Sequence, residues 1–449
     1  MSGRFEGQRV VVVGAGVAGS SAARVLAAEG ATVRITEARA ASELSGIDAL
    51  RAAGVEVAAG GHERSHLDGA ALVVTGPGVA ERAHVLGWAR ERGLPVWSEM
   101  ELGARLAEVP YIAVTGTNGK TTTTGMIEAC LQAGGLDAVA CGNIGHPFPE
   151  AAREGHDALV VECSSFQLRM QESFHPRVSV LLNVAPDHLD EHGSFEAYAT
   201  AKARIFARQD RGDTHVGNRD DPRAATLSAD APCDVAWFRA GAPGEGEVGY
   251  DGDTLVSRMG PVVELGIVAA SAGRRADAAA AAAASLAFGA SPRAVRDGLA
   301  GFEPAPHRGQ LAAQIGDVRF IDDSKATNVH AALAAIDGVD DAVLIAGGMA
   351  KGVDLSPLAT RVARLRAVVA IGQAAPEIAR VFDGIIPVTT AASIEEAVRL
   401  AFGLAQPSGS VLLAPACASW DQFHDYAERG DRFAGAARGL REVSAGGRG

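Results

Sequence analysis

The chain has 449 residues, 47% hydrophobic and 21% charged, which is enough for two or three domain cores in a globular protein. Its 54 acidic against 41 basic residues leave a formal charge of −13, so nucleic acid is excluded as the expected partner. Five cysteines without a C-x-x-C pair predict neither a disulfide framework nor a zinc site; the absence of a signal-peptide pattern and of any apolar run long enough to span a bilayer predicts a cytoplasmic protein.

Strand-like runs alternate with alanine-rich helical segments from end to end, which predicts an α/β protein with mostly parallel sheets. Three blocks are expected, with boundaries at 1–104, 105–303 and 304–449. In the first, residues 10–13, 32–36 and 71–75 read as strands. Gly14-Ala15-Gly16-Val17-Ala18-Gly19 follows the first strand and precedes a helix over 20–29, with Glu37 at the end of the next strand. That pattern puts a diphosphate on a helix N-terminus and an acid near a ribose. It fits a nicotinamide dinucleotide, but the same turn holds any nucleoside diphosphate.

The second block opens with an apolar strand at 111–115 that runs into Gly116-Thr117-Asn118-Gly119-Lys120-Thr121-Thr122 and a helix to 133. Glycines let backbone N–H groups converge on phosphate oxygens, the lysine adds a mobile positive charge, and a threonine hydroxyl at the helix start reaches a magnesium ion. This reads as a triphosphate cradle, although its spacing is shorter than G-x-x-x-x-G-K-[ST]. Buried strands are expected at 158–162 and 178–183. Glu162, followed by Cys163-Ser164-Ser165-Phe166-Gln167, and Asn183 to His188 lie at their ends, where open α/β sheets place ligand sites. A carboxylate there can hold magnesium against phosphates, and His188 can ligate or position a metal. The glycine-rich, charged run 240–253 reads as an exposed hairpin or loop. The third block follows the proline-bearing linker 302–306, with strands near 318–321, 342–346, 367–371 and 410–414.

The phosphate loop, Gly142-Asn143-Ile144-Gly145, Glu162 to Gln167 and Asn183 to His188 together resemble the ordered motifs of the Mur ligases, which build the peptide of bacterial cell-wall precursors. In the third block, Pro306-His307-Arg308, Asp322-Asp323-Ser324-Lys325-Ala326-Thr327-Asn328, Gly347-Gly348-Met349-Ala350-Lys351 and Pro415-Ala416-Cys417-Ala418-Ser419 resemble the family member that adds D-glutamate to UDP-N-acetylmuramoyl-L-alanine. The resemblance covers nearly the whole chain and reassigns the N-terminal glycine turn from NAD to the UDP of the substrate. It implies three domains, Rossmann-like, P-loop ATPase-like and Rossmann-like, and a monomeric enzyme that uses ATP and Mg2+. Residues 116–122 would bind ATP, with Lys120 on its terminal phosphates, and Arg308 and Asp323 would meet the nucleotide from the third domain. Thr121, Glu162, His188 and a carbamylated Lys202 would arrange magnesium, with Lys120, His188 and Lys202 as the catalytic set. Asn143 would contact the muramoyl substrate, and Val17, Ala18, Glu37 and Arg39 would line the uridine diphosphate site. Lys325, Thr327, Lys351, Ser419 and Tyr426 would hold D-glutamate.

Two departures stand out. The family's H-N-x-x-N before the alanine-rich helix is replaced by Gly273-Arg274-Arg275-Ala276-Asp277, so Arg274 or Asp277 is expected to take over contacts to ATP. Gly76-Pro77-Gly78 stands where a serine often precedes the proline. The competing readings are the same chemistry with L-glutamate or another Mur-type substrate, a folate-polyglutamate ligase, an NAD-dependent dehydrogenase that would leave the phosphate loop idle, and a non-catalytic nucleotide-binding regulator.

Overall fold

The computed structural model describes residues 3–260, 263–267, 272–350 and 352–446, and within it the backbone forms three sheets. The first has five parallel strands in the spatial order Glu56–Ala59, Thr32–Glu37, Arg9–Val13, Leu72–Thr75, Val96–Ser98. Its middle strand is an unbroken valine run with no exposure from Val10 to Val13, as a parallel sheet covered on both faces requires. The chain passes to one side of that strand first and to the other side later. A crevice therefore opens at its carboxyl end, where the glycine turn lies. Glycine is needed there: Gly14 has φ +92°, and a Cβ on Gly19 would overlap the carbonyl oxygen of Gly14.

The second sheet has nine strands, in the order Val263–Ile267, Thr254–Ser257, Glu247–Asp251, Asp234–Phe238, Thr214–Asn218, Val178–Leu181, Tyr111–Thr115, Ala158–Glu162, Ala138–Gly142. The six strands from Asp234–Phe238 onward run parallel, as does Glu247–Asp251 against its neighbour. Antiparallel pairing begins beyond it. The expectation of an exposed hairpin or loop over 240–253 is corrected in part. Residues 247–250 are buried and extend the sheet, whereas 241–242, 244–246 and 251–253 are exposed. The third sheet runs Gln310–Ile315, Asp317–Asp322, Ser408–Leu413, Ala342–Gly347, Leu365–Ile371, Val388–Thr390, parallel except for its first pair.

By compactness the chain divides into two units. One comprises Met1–Val184, Glu196–Val268 and Asp277–Phe302 and holds the first two sheets; the other comprises Ala185–Phe195, Ala269–Ala276 and Glu303–Gly449 and holds the third.

Inside the first unit, a buried acid joins two of its layers. Ser98 caps the helix Glu99–Leu106 by accepting from the Glu101 N–H, and Glu101 is fully buried. The Glu101 carboxylate accepts from the backbone N–H of Glu172 at 2.8 Å and of Ser173 at 2.9 Å, from the Ser173 hydroxyl at 2.6 Å and from Arg105 Nε at 2.7 Å. Glu101→Ala strands these donors and is expected to lower unfolding free energy by about 3 kcal/mol. An unchanged urea midpoint would remove Glu101 from this joint.

Candidate active site

The strand Tyr111–Thr115 is buried along its whole length and delivers the chain to the phosphate loop. Asn183, at the end of the neighbouring strand, holds that loop from the side. Its Oδ1 accepts from Asn118 N at 2.9 Å, its Nδ2 donates to Asn118 O at 3.1 Å, and its own carbonyl accepts from Thr117 N at 3.0 Å. Gly119, at φ +85°, turns the chain into the helix Lys120–Ala133; a Cβ there would collide with Asp277 Oδ1. Lys120 folds back so that Nζ donates to Gly116 O at 2.9 Å and Thr117 O at 3.0 Å.

Lys202 reaches the same loop from the helix Phe195–Ala203. It is 1% exposed, donates to Gly116 O at 2.7 Å and lies 4.5 Å from the Tyr198 ring centroid. Tyr198 OH is 3.1 Å from Thr117 Oγ1. Tyr198 was not singled out in the sequence, but its spacing of four from Lys202 puts both on one helix face. Glu162 ends the strand beside the phosphate-loop strand, in register with Val114, and is buried. Its Oε1 accepts from Asn143 Nδ2 at 2.9 Å, and its Oε2 is buried without a hydrogen-bond partner among the described residues. An orphaned carboxylate oxygen at a strand end suits a hard cation.

Asn143 also lines a cavity of about 700 Å³ at the carboxyl end of the first sheet, walled by the glycine turn, Val17, Ala18, Glu37, Arg39, His62, the Gly76-Pro77-Gly78 segment and Gln167. Val17 is 75% exposed, so its side chain is available to a ligand. Glu37 anchors the turn itself: its Oε2 accepts from Ala15 N at 2.7 Å and from Arg39 Nη2 at 3.1 Å, and its Oε1 accepts from Arg39 N at 3.0 Å. Burial alone would raise its pKa, but the bonds from Arg39 and the Ala15 N–H outweigh that and bring it down to about 2. His62 and Gln167 were not anticipated. Gln167 carries a readable signal, because Ser164 and Gln167 form the capping box of the helix Ser165–Arg169. His62 arrives on the loop after Glu56–Ala59 and pairs with Thr36 Oγ1 at 2.9 Å.

Thr121 and Thr122 follow Lys120 in the first turn of its helix; the second unit holds His188 and the candidates of the third block. His188 adopts φ 52°, and its N–H donates to Asp187 Oδ1 at 2.9 Å, while Asp187 Oδ2 accepts from Asn328 Nδ2 at 3.4 Å. Arg274 donates through Nη2 to Arg308 O at 3.3 Å. The helix Ala272–Phe288 begins before the alanine run, so Arg274 and Asp277 both sit in its first turns, with Arg274 counted in the second unit and Asp277 in the first. Lys325 Nζ lies 3.8 Å from the Tyr426 ring centroid. Thr327 N donates to Lys325 O at 2.7 Å, and Ser419 is buried at 3% exposure. Lys351 lies outside the described residues.

Desolvation pushes the Asp323 carboxyl from 3.8 up to about 7, against the fields of Arg308 and Arg274 and with help from Asp322. The folded chain then keeps a proton that the unfolded chain releases, so Asp323 costs stability as pH rises from 3.8 toward about 7. Asp323→Asn should flatten the stability slope of the nucleotide-free protein across that window. Identical slopes for the unaltered protein and the variant within that window would contradict the assignment.

The chain matches three family models: a MurD-like Mur ligase N-terminal domain over residues 8–98, the Mur ligase middle domain over 114–245 and the Mur ligase glutamate ligase domain over 307–417. It is 44% identical over 448 residues to a UDP-N-acetylmuramoylalanine--D-glutamate ligase of Frankia casuarinae, covering 97% of this chain and 94% of that protein. A protein of the same name from Geobacillus kaustophilus is 40% identical over 447 residues, covering 97% and 99% of the two chains. Among solved structures, a pseudomurein peptide ligase type C from Methanothermus fervidus aligns at TM-score 0.62 and 19% identity, over 97% of this chain and all of that one. The UDP-N-acetylmuramate-alanine ligase MurC from Thermotoga maritima aligns at 0.59 and 18% identity, over 96% and 99%; both likenesses concern the fold. With both glycine turns at sheet carboxyl ends and matches of this extent in all three blocks, the chain belongs to the Mur ligase family.

Proposed function

We propose that the protein is an ATP-dependent amide ligase that joins D-glutamate to the alanyl carboxylate of UDP-N-acetylmuramoyl-L-alanine, with release of ADP and phosphate in peptidoglycan precursor synthesis. The observation that carries this reading is the Asn143–Glu162 pair. One amide lines the large cavity at the first sheet and holds the carboxylate that ends the strand next to the phosphate loop. A nucleotide-linked substrate and a triphosphate thus have adjoining places in one unit. We assign 1–104 to the UDP-linked substrate, 105–303 to ATP and 304–449 to the amino acid, in a monomer working in the cytoplasm; among the described residues no helix is long and apolar enough to cross a membrane.

In the proposed reaction, the substrate carboxylate attacks the terminal phosphate of ATP, and the amine of D-glutamate then displaces phosphate from the acyl phosphate through a tetrahedral intermediate. No side-chain nucleophile is needed; the work is positioning and charge stabilisation. Lys120 already spans two loop carbonyls, so a small swing transfers its ammonium to terminal phosphate oxygens. Glu162 with its orphaned oxygen, the Thr121 hydroxyl and Lys202 as a carbamate suit Mg2+, and we assign His188 a metal-binding role as well. When bound, that ion would offset charge on the transferring phosphoryl group. Val17, Ala18, Glu37 and Arg39 receive the uridine diphosphate, and Asn143 the muramoyl portion. Arg308 and Asp323 contact the nucleotide, and Lys325, Thr327, Lys351, Ser419 and Tyr426 form the D-glutamate site.

The deciding experiment is phosphate release from MgATP with UDP-N-acetylmuramoyl-L-alanine and D-glutamate, L-glutamate, a diamino acid or no amino acid. Release with D-glutamate alone, with the amide product found by mass, is expected; release only with L-glutamate would overturn the specificity, and none at all would favour a nucleotide-binding regulator. For the sequence that replaces H-N-x-x-N, Arg274→Ala should raise the KM for ATP about tenfold, the effect of losing one charge-assisted contact. An unchanged KM would mean that Arg274 does not stand in for the missing asparagines.

A further inference from the structure

Arg429, in the first turn of the helix Tyr426–Gly446, is 0% exposed and heads the fully buried side chains by volume. Its guanidinium is used on three sides. Nε donates to Ser324 Oγ at 3.0 Å, Nη2 to Ser324 O at 2.7 Å, and Nη1 to Cys417 O at 3.2 Å. Ser324 completes the junction, since its hydroxyl donates to Tyr426 O at 2.7 Å and its N–H to Asp322 Oδ1 at 2.9 Å. Ala416 N, donating to Ala326 O at 2.9 Å, ties the same two turns by their backbones. One buried side chain therefore fastens three segments: the turn that bears Lys325 and Thr327, the turn that leads to Ser419, and the helix start that bears Tyr426.

The charge of that side chain matters as much as its reach. All three acceptors are neutral oxygens, and among the described residues Arg429 makes no ion pair. The acids whose fields it feels are not bonded to it: Asp421 Oδ2 accepts from Gln373 N at 2.8 Å while its Oδ1 has no hydrogen-bond partner among the described residues, and Asp322 pairs with His307 Nδ1 at 2.7 Å. Desolvation lowers the Arg429 pKa to about 10, which leaves it ionised at neutral pH. Burying a cation against carbonyls is costly, and an apolar side chain of similar volume would fill the space at less expense. What an apolar residue cannot provide is a positive charge held on Ser324, the residue before Lys325.

We infer that Arg429 is a positioning and specificity-determining residue of the amino-acid site. It holds the three ligand-bearing segments in register and adds a buried positive charge that favours an amino acid with two carboxylates over one with a neutral side chain. This rests on the reading of the second unit as the amino-acid site. The test begins with the unaltered protein, in which ligation of D-glutamate tests that reading by itself. Values of kcat/KM for D-glutamate and for D-glutamine are then compared in Arg429→Met and Arg429→Lys, with added guanidinium ion as a rescue arm. In Arg429→Met, the D-glutamate KM should rise and the preference for glutamate over glutamine should fall, each by about tenfold, while the KM for ATP stays unchanged. Arg429→Lys should retain most of the preference, and guanidinium should restore part of it to the Met variant. Equal losses for both amino acids, or a fall in kcat with KM unmoved, would overturn the inference. If Arg429→Met does not fold, collapse of the glutamate preference in Arg429→Lys, which keeps the charge, would overturn it too.

Discussion

The amide of Asn183 closes both of its ends on the backbone of Asn118, and much of the site depends on that clamp. A phosphate loop works by presenting backbone N–H groups in a fixed curve, and a free glycine-rich segment would lose that curve to conformational entropy. Here the curve is set from a neighbouring buried strand, by one side chain and by the Asn183 carbonyl that receives Thr117 N. Because Val178–Leu181 pairs in register with the loop's own strand, the clamp is as rigid as the sheet. Lys120 and Lys202 are placed against the same fixed loop, both donating to Gly116 O.

The same logic extends to the first sheet. The strand order reverses at Arg9–Val13, which leaves a crevice at its carboxyl end, and the glycine turn fills the floor of that crevice because a Cβ at Gly19 would not fit. Glu37 spends its carboxylate on this turn and on Arg39. Those bonds fix the shape of the turn and hold the Arg39 guanidinium beside it.

Much of this was legible in the sequence because the signals are local. A buried parallel strand reads as an apolar run, and a phosphate turn as glycines next to a strand end. Less was legible where a residue's partner is distant. Glu247–Asp251 looks like loop because Gly249 and flanking charges break its apolar pattern, yet pairing with Asp234–Phe238 and Thr254–Ser257 makes it a strand. Gln167 announces itself as a capping residue and gives no sign of lining a cavity. His62 gives none either, since only the tertiary position of its loop brings it to Thr36. Arg429 is the extreme case: a lone arginine in a charged helix reads as solvated, and only the fold brings Ser324 and Cys417, 105 and 12 residues away, onto its guanidinium.

These placements also explain how a chain with a formal charge of −13 can serve anionic ligands. Net charge acts at a distance and is screened by salt within about 10 Å, so recognition is decided by the charges lining each site. Lys120 and Arg429 both donate to backbone carbonyl oxygens. A carbonyl satisfies a hydrogen-bond donor without neutralising its charge, whereas a carboxylate does both. Surface arginines such as Arg366 and Arg432 are paired with acids and contribute to the protein's outer balance. Carbonyl-bound cations keep their field for whatever enters the site, and this difference in partner, more than the number of basic residues, makes an acidic protein locally attractive to phosphates and carboxylates.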